Sequence, residues 1–369
     1  MKKIKVLQVP IRNSRGGITH YAMNNWEHID KNRFQFDYVT FSKKLDFETE
    51  ITSQGCKVHY VSCYAEENEK QFIKEMNAIL SQGYDVVHIH TSYWKSFLIE
   101  QLAIKNNIFK IIVHAHSTMI DEHDDKKRQE ALRLHEKRKK EFNTSMATHF
   151  CACSRLAADW LFGPQIPREQ IKILPNAIDV NKFQYDIRIR EIYRKKLGIE
   201  NSFVVGHVGR MVYQKNHEFL LNAFSEVIKQ VENAVLLLVG DGVLEENIRT
   251  QAYKMGLDSK VIFLGKRNDT ENLYQAMDVF CLPSRFEGLP IVLIEAQTAG
   301  LKCITSVSVT NEAKVTNNIE LLPLEAKIWS NKIIDLSHGY IRRNMNHEIA
   351  RSGYNINVQI KELERYYED

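Results

Sequence analysis

Short β-branched and apolar runs alternate with helix-length amphipathic stretches along almost the whole chain, the pattern of parallel strands covered by helices. In the first half this predicts strands at residues 4–9, 36–41, 58–61, 85–90, 110–114 and 148–152. The centres Val86-Val87 and Ile111-Ile112-Val113 are apolar throughout, as strands buried on both faces require. The pattern restarts in the second half, with strands expected at 203–209, 234–240, 261–265, 279–282 and 303–306. Helices are clearest at 216–230, 244–255 and 290–299. The predicted class is α/β, built as two similar domains.

The junction falls in the run from Ile171 to Asp179, a strand ending in Pro175-Asn176 before a polar stretch at 180–194. Pro175 disfavours helix at the residue before it, so the chain turns there. This places a first domain at 1–170 and a second at 171–348. The final segment, 349–369, reads as one helix carrying Tyr354, Ile356, Val358, Ile360, Leu363 and Tyr366, and is expected to pack back onto the first domain. No internal repeat or low-complexity tract interrupts the pattern.

The length of 369 residues agrees with two domains at roughly 100–200 residues each. Fifty basic against 46 acidic side chains leave a net charge of only +4, which does not suggest a dedicated nucleic-acid binder. The opening Met1-Lys2-Lys3-Ile4-Lys5-Val6-Leu7-Gln8 is too short and too interrupted for a signal peptide, and no stretch approaches the ~18 apolar residues of a membrane span. A soluble, cytoplasmic protein is expected. Six scattered cysteines without CxxC spacing read as reduced, mostly buried thiols.

In open α/β sheets ligands bind outside the carboxyl ends of the strands, so residues after strands are the candidates for chemistry. After the strand at 279–282 comes Glu287-Gly288-Leu289-Pro290, with Glu295 eight positions beyond Glu287. Pro290 suits a helix start and Gly300 its end, so N–H groups near Gly288 and Leu289 are expected to face a phosphate. Two carboxylates at different depths fit hydroxyls of two groups, such as a sugar and a ribose; a capped surface helix is the alternative. Arg210 and Lys215 follow the first strand of the second half, where two cations can converge on a diphosphate or simply be solvated. Gly16-Gly17 follow the first strand of the chain and allow close backbone approach or an ordinary turn, but do not form GxGxxG.

His114 and His116 end one strand, and His88 and His90 a neighbouring one. Each pair is expected to split, one ring facing inward and one the ligand. No carboxylate or cysteine completes a metal-ligand spacing, so no metal is expected. Asp121 to Asp125 read as an acidic helix start. Residues 126–140 carry eight basic and two acidic side chains, a local +6, with Leu132, Leu134 and Phe142 nearby. This stretch fits either an anionic membrane surface or a solvated helix face.

Together these motifs resemble a retaining glycosyltransferase of the GT-B fold, family four, of the bacterial capsule and exopolysaccharide type. The resemblance rests on Gly16-Gly17, His114-Ala115-His116, Pro175-Asn176-Ala177-Ile178-Asp179, Gly209-Arg210 with Lys215-Asn216-His217, Gly240-Asp241-Gly242, and the E-x7-E pair Glu287 and Glu295. It departs after Gly300, where many relatives carry an acidic or glycine-rich segment and this chain has Ser306-Val307-Ser308-Val309-Thr310. It implies two Rossmann-like domains flanking a cleft, with a nucleotide sugar, most often a UDP-sugar, on the second. Arg210 and Lys215 would neutralise the diphosphate, and Glu295 would hold the ribose. Glu287 and His116 would meet the donor sugar. The backbone near Lys266-Arg267 would meet the base, Asn176 would contribute to donor binding, and Gly16-Gly17 would shape the diphosphate and acceptor side. No metal or other cofactor is implied, and the acceptor is expected to be a polyprenyl-linked glycan at the inner membrane face. A sugar-nucleotide epimerase of the same fold and a catalytically silent partner subunit are the alternatives.

Overall fold

The computed structural model describes residues 2–13 and 16–369. The chain forms two compact units, one comprising Met1–Ile120, Asp124–Ala177 and Ile356–Asp369, the other Asp121–His123 and Ile178–Asn355.

The first unit is a seven-stranded parallel sheet of β1 (Ile4–Ile11), β2 (Phe34–Thr40), β3 (Val58–Tyr60), β4 (Val86–Thr91), β5 (Lys110–Ala115), β6 (His149–Ala152) and β7 (Ile171–Ile173). Its strand order is β3-β2-β1-β4-β5-β6-β7, so the direction of winding reverses between β1 and β4. Interior strand β5 is buried along its whole length, which explains the apolar run Ile111-Ile112-Val113 at its centre. The boundary expected near residue 171 moves to 177/178, because Ile171–Ile173 pairs with Phe150–Ala152 and completes this sheet.

The second unit repeats the plan with β8 (Phe203–Val208), β9 (Ala234–Val239), β10 (Val261–Phe263), β11 (Val279–Leu282), β12 (Lys302–Ser306) and β13 (Ile319–Leu322). The order β10-β9-β8-β11-β12-β13 reverses between β8 and β11. Strand β13 is absent from the expected set: it is a four-residue strand whose Glu320 is exposed, so it lacks an apolar centre. The core gathers Val205, Leu236 and Leu238 with Phe224, Trp329 and Ile333 from covering helices.

The single helix expected at 349–369 is two helices, Asn346–Arg351 and Ile356–Glu368. Gly353 breaks them by adopting φ +83°, a left-handed conformation that other residues enter at a cost. The second helix buries Ile356, Ile360, Leu363 and Tyr367, spaced at helical period, and three of these join the core of the first unit. Burial of each such side chain is worth about 1.5–3 kcal/mol. The cysteines are free thiols, with Cys63 alone among them only half buried. No helix among the described residues is long and apolar enough to cross a membrane.

Candidate active site

In the second unit, the loops after β8 and β11 flank the point where strand order reverses, the place where such sheets bind ligands. Gly209 directly follows β8 and its N–H donates to the Val239 carbonyl, and the Gly240-Asp241-Gly242 loop after β9 clasps the chain from Gly209 to Met211. A Cβ on Gly240, at φ +130°, would lie 2.1 Å from the Gly209 carbonyl oxygen, and one on Gly242 2.4 Å from that of Met211. Only glycine fits at either position, so the loop packs directly against the backbone that carries Arg210.

Lys215 lies on a single 3-10 turn, Tyr213–Lys215, before the helix His217–Val227. Its ammonium meets the Glu287 carboxylate at 2.6 Å, and both side chains are nearly out of solvent. Ser284 Oγ donates to the same Glu287 oxygen at 2.7 Å, and Gln214 Nε2 to the other at 3.1 Å. Ser284 is itself held by Ser306, whose hydroxyl donates to the Ser284 carbonyl at 2.7 Å. The segment that departs from the family pattern therefore braces the loop bearing Glu287.

Pro290 stands at the N-cap of the helix Ile291–Thr298, as its missing N–H allows. Gly288 and Leu289, expected to turn N–H groups toward a phosphate, are buried just before this helix. Glu295 is buried within this helix and accepts a 2.8 Å hydrogen bond from Tyr274 Oη. Burial pushes its carboxyl up to about 7. The Arg267 guanidinium forks onto Asp269 at 2.8 and 2.6 Å. That fork and Tyr193 hold Asp269 down at about 2.

Arg210 pairs with Asp121 at 3.3 Å, and the Gln214 N–H donates to the same carboxylate at 3.1 Å. Asp121 was expected in a helix-start cluster. Asp124 does cap the helix Asp125–Glu141 and Asp125 occupies its first turn, but Asp121–His123 pack with the second unit. A carboxylate thus sits on the arginine expected to receive a diphosphate.

In the first unit, β4 and β5 are parallel neighbours in register, with His90 beside His114 and Thr91 beside Ala115. The expected splitting of each histidine pair is wrong: side chains repeat with period two along a strand, so residues i and i+2 share a face. His88, His90, His114 and His116 accordingly form one cluster, with His88 Nε2 to His114 Nδ1 at 3.1 Å and His90 Nδ1 to His116 Nε2 at 2.9 Å. Burial lowers all four imidazoles, His88 and His116 to about 3. His88, His90 and His114 also offer ring nitrogens within 4.8 Å of one another, the spacing of a potential metal site. Gln8 from β1 and Tyr367 from the last helix join the cluster, which no local sequence signal announced.

Gly16 caps the helix Gly17–His28, and a Cβ on Gly17 would meet nothing within 4 Å. Asn176 is buried in the first unit rather than the second, just before the boundary. The basic stretch forms the helix Asp125–Glu141, of which only His135 is fully buried. Phe142, which the membrane alternative would have set against lipid, is fully buried and stacked on Trp94 at 4.3 Å, so it is unavailable to a bilayer.

Residues 15–182 match the family Glycosyltransferase Family 4, and residues 189–353 match Glycosyl transferases group 1. A Bacillus subtilis (strain 168) protein carrying the glycosyltransferase name EpsF is 32% identical over 84% of this chain and 80% of its own length. The chain belongs to this glycosyltransferase family. The E. coli UDP-Gal:alpha-D-GlcNAc-diphosphoundecaprenol alpha-1,3-galactosyltransferase is 26% identical over 100% of the chain and 97% of its own length. The Staphylococcus aureus capsular polysaccharide biosynthesis glycosyltransferase CapH is 26% identical over 99% and 98%. The family is thus that of the capsule and exopolysaccharide type. Among solved structures, Anabaena Alr3699/HepE in complex with UDP and glucose superposes with a TM-score of 0.78 at 17% identity, covering 100% of both chains. The fold of this glycosyltransferase is GT-B.

Proposed function

We propose that this glycosyltransferase moves a hexosyl group, with retention at the anomeric carbon, from a nucleotide sugar, a UDP-sugar, to a glycan carried on a polyprenyl diphosphate lipid. The observation that carries the reading is the Lys215–Glu287 pair braced by Ser284 beside Arg210, at the reversal point of the second sheet. UDP as the donor nucleotide is supported by the printed names of the E. coli relative and the Anabaena complex; the lipid-linked acceptor is supported by the former. The setting of this proposed activity is capsule or exopolysaccharide assembly at the inner membrane face. The exposed basic helix Asp125–Glu141 gives the enzyme an electrostatic means of staying near anionic lipid.

In this mechanism Arg210 and Lys215 face the diphosphate and stabilise the negative charge that grows on it as the bond to the sugar breaks. Lys215 is shared between Glu287 and phosphate, while Glu287 accepts from sugar hydroxyls and opposes positive charge at the anomeric carbon. Glu295, steadied by Tyr274, holds the ribose hydroxyls; His116 meets the transferred sugar. The acceptor oxygen forms its bond to the anomeric carbon on the face the diphosphate leaves. Its proton passes to the departing phosphate oxygen, so the step balances without an enzyme nucleophile. Two fixed cations neutralise the leaving group here, and this reading assigns no divalent metal or other cofactor.

Binding and turnover of UDP-, GDP- and dTDP-sugars, with and without EDTA, test the proposal. It expects EDTA-insensitive binding of one nucleotide class, lost in Arg210→Ala, and slow donor hydrolysis, lost in Glu287→Ala. No binding by any nucleotide sugar refutes it and favours the silent subunit. Epimerisation of the donor without acceptor favours the epimerase.

A further inference from the structure

The histidines of the first unit are joined in one hydrogen-bonded chain, and the orientation of the Gln8 amide sets the direction of the protons along it. The Gln8 carbonyl Oε1 can only accept, so His90 Nε2, 2.7 Å away, carries a hydrogen. The neutral His90 ring then has a bare Nδ1, which accepts from His116 Nε2 at 2.9 Å. His116 is therefore protonated on Nε2 and bare on Nδ1. From the other end of the same amide, Gln8 Nε2 donates to Tyr367 Oη at 3.1 Å, and the Tyr367 hydroxyl donates to His88 Nδ1 at 2.8 Å. His88 in turn donates from Nε2 to His114 Nδ1 at 3.1 Å. In this arrangement every bare nitrogen of His88, His90 and His114 already accepts a hydrogen bond, so a metal placed among them would have to displace one.

His116 differs from the other three. It is half buried just beyond the end of β5, whereas the other three are buried within their strands. We propose that Gln8, acting through His90, is a positioning residue that fixes His116 as the Nε2–H tautomer, so that its Nδ1 faces outward as a hydrogen-bond acceptor for a sugar hydroxyl. The hydroxyl belongs to the donor or the acceptor glycan. The low basicity of His116 agrees with this, since a neutral ring is what presents a lone pair at neutral pH. The proposal rests on the reading that the strand ends of the first unit meet a sugar.

The test begins on the wild-type protein, labelled with 15N-histidine, with His116 assigned by its loss in His116→Ala. Long-range proton–nitrogen spectra are expected to give His116 a pyrrole-type Nε2 and a pyridine-type Nδ1. A proton on Nδ1 overturns the proposal whatever the activity. Gln8→Leu is expected to mix the two tautomers. Tyr367→Phe removes the acceptor that orients the Gln8 amide and is expected to loosen the fixation less than Gln8→Leu does, and a larger loss in Tyr367→Phe counts against Gln8 as the anchor.

In Gln8→Leu the KM for donor or for acceptor is expected to rise about 2- to 10-fold, the worth of one neutral hydrogen bond, with kcat little moved. Which KM rises identifies the source of the hydroxyl. Mixed tautomers with neither KM moved overturn the proposal. His116→Ala then separates the causes: if it also leaves both KM values unmoved, no sugar meets His116 and the underlying reading fails. If it raises one of them, His116 binds the sugar without needing a fixed tautomer.

Discussion

Replacing Lys215 by methionine strands the Glu287 carboxylate in a nearly dry site, since the two side chains are only 12% and 7% exposed. Removing one member of such a pair costs about 3–5 kcal/mol. Ser284 and Gln214 continue to donate to the carboxylate, so the lower end, about 3 kcal/mol, is expected. At ~2–4 °C per kcal/mol for a domain of this size, the second unit should melt about 6–12 °C earlier. Adding Glu287→Gln removes the stranded charge, while the amide still accepts from Ser284. The double variant should therefore recover at least about 2 kcal/mol relative to the sum of the two single changes. Urea unfolding of the four proteins followed by far-UV circular dichroism measures this coupling, and transferase activity is read on the same samples. The account expects a double variant that is well folded yet inactive. Effects that add to within about 0.5 kcal/mol would refute the reasoning that Lys215 and Glu287 are mutually dependent.

Other expectations follow from the same geometry. Asp121→Asn removes the carboxylate from Arg210 and should tighten donor binding by up to about 5-fold, as befits a partly exposed pair worth at most ~1 kcal/mol; calorimetric titration with UDP checks this, and weaker binding would contradict it. The raised Glu295 carboxyl means the folded protein keeps a proton that the unfolded chain releases near pH 4.5, so stability falls as pH rises from about 4.5 to about 7, by up to about 3 kcal/mol. Glu295→Gln should abolish that share of the slope, and identical pH–stability curves would disprove the assignment. Changing exposed Lys126, Lys127, Lys137 and Lys140 to glutamate should abolish salt-sensitive binding to anionic vesicles, at about 1 kcal/mol per lysine, and unchanged sedimentation with vesicles would exclude the helix as the contact.

Much of the architecture was legible because buried parallel strands leave compact apolar runs: every expected strand of the second half appears within a few residues of its predicted place. Pro290 and the residues after β8 and β11 were equally legible, since proline geometry and strand ends are local facts. What escaped depended on contacts distant in sequence. Strand β7 joins the first sheet by pairing, not by its own composition, and β13 is short with an exposed glutamate. Gln8 and Tyr367 lie 359 positions apart and meet only through the returning helix. Asp121 reaches Arg210 from 89 positions away. The histidine cluster was visible in composition but misplaced, because spacing by two residues on a strand gathers side chains on one face.

The central claim is transfer of a sugar with retention, driven by fixed cations rather than a metal. The most direct test is to supply an α-linked UDP-hexose and a polyprenyl-diphosphate-linked glycan in EDTA and determine the anomeric configuration of the new linkage by NMR. The account predicts an α-linked product formed undiminished in EDTA and lost in Glu287→Gln. A β-linked product, or one formed only when a divalent cation is restored, would contradict it.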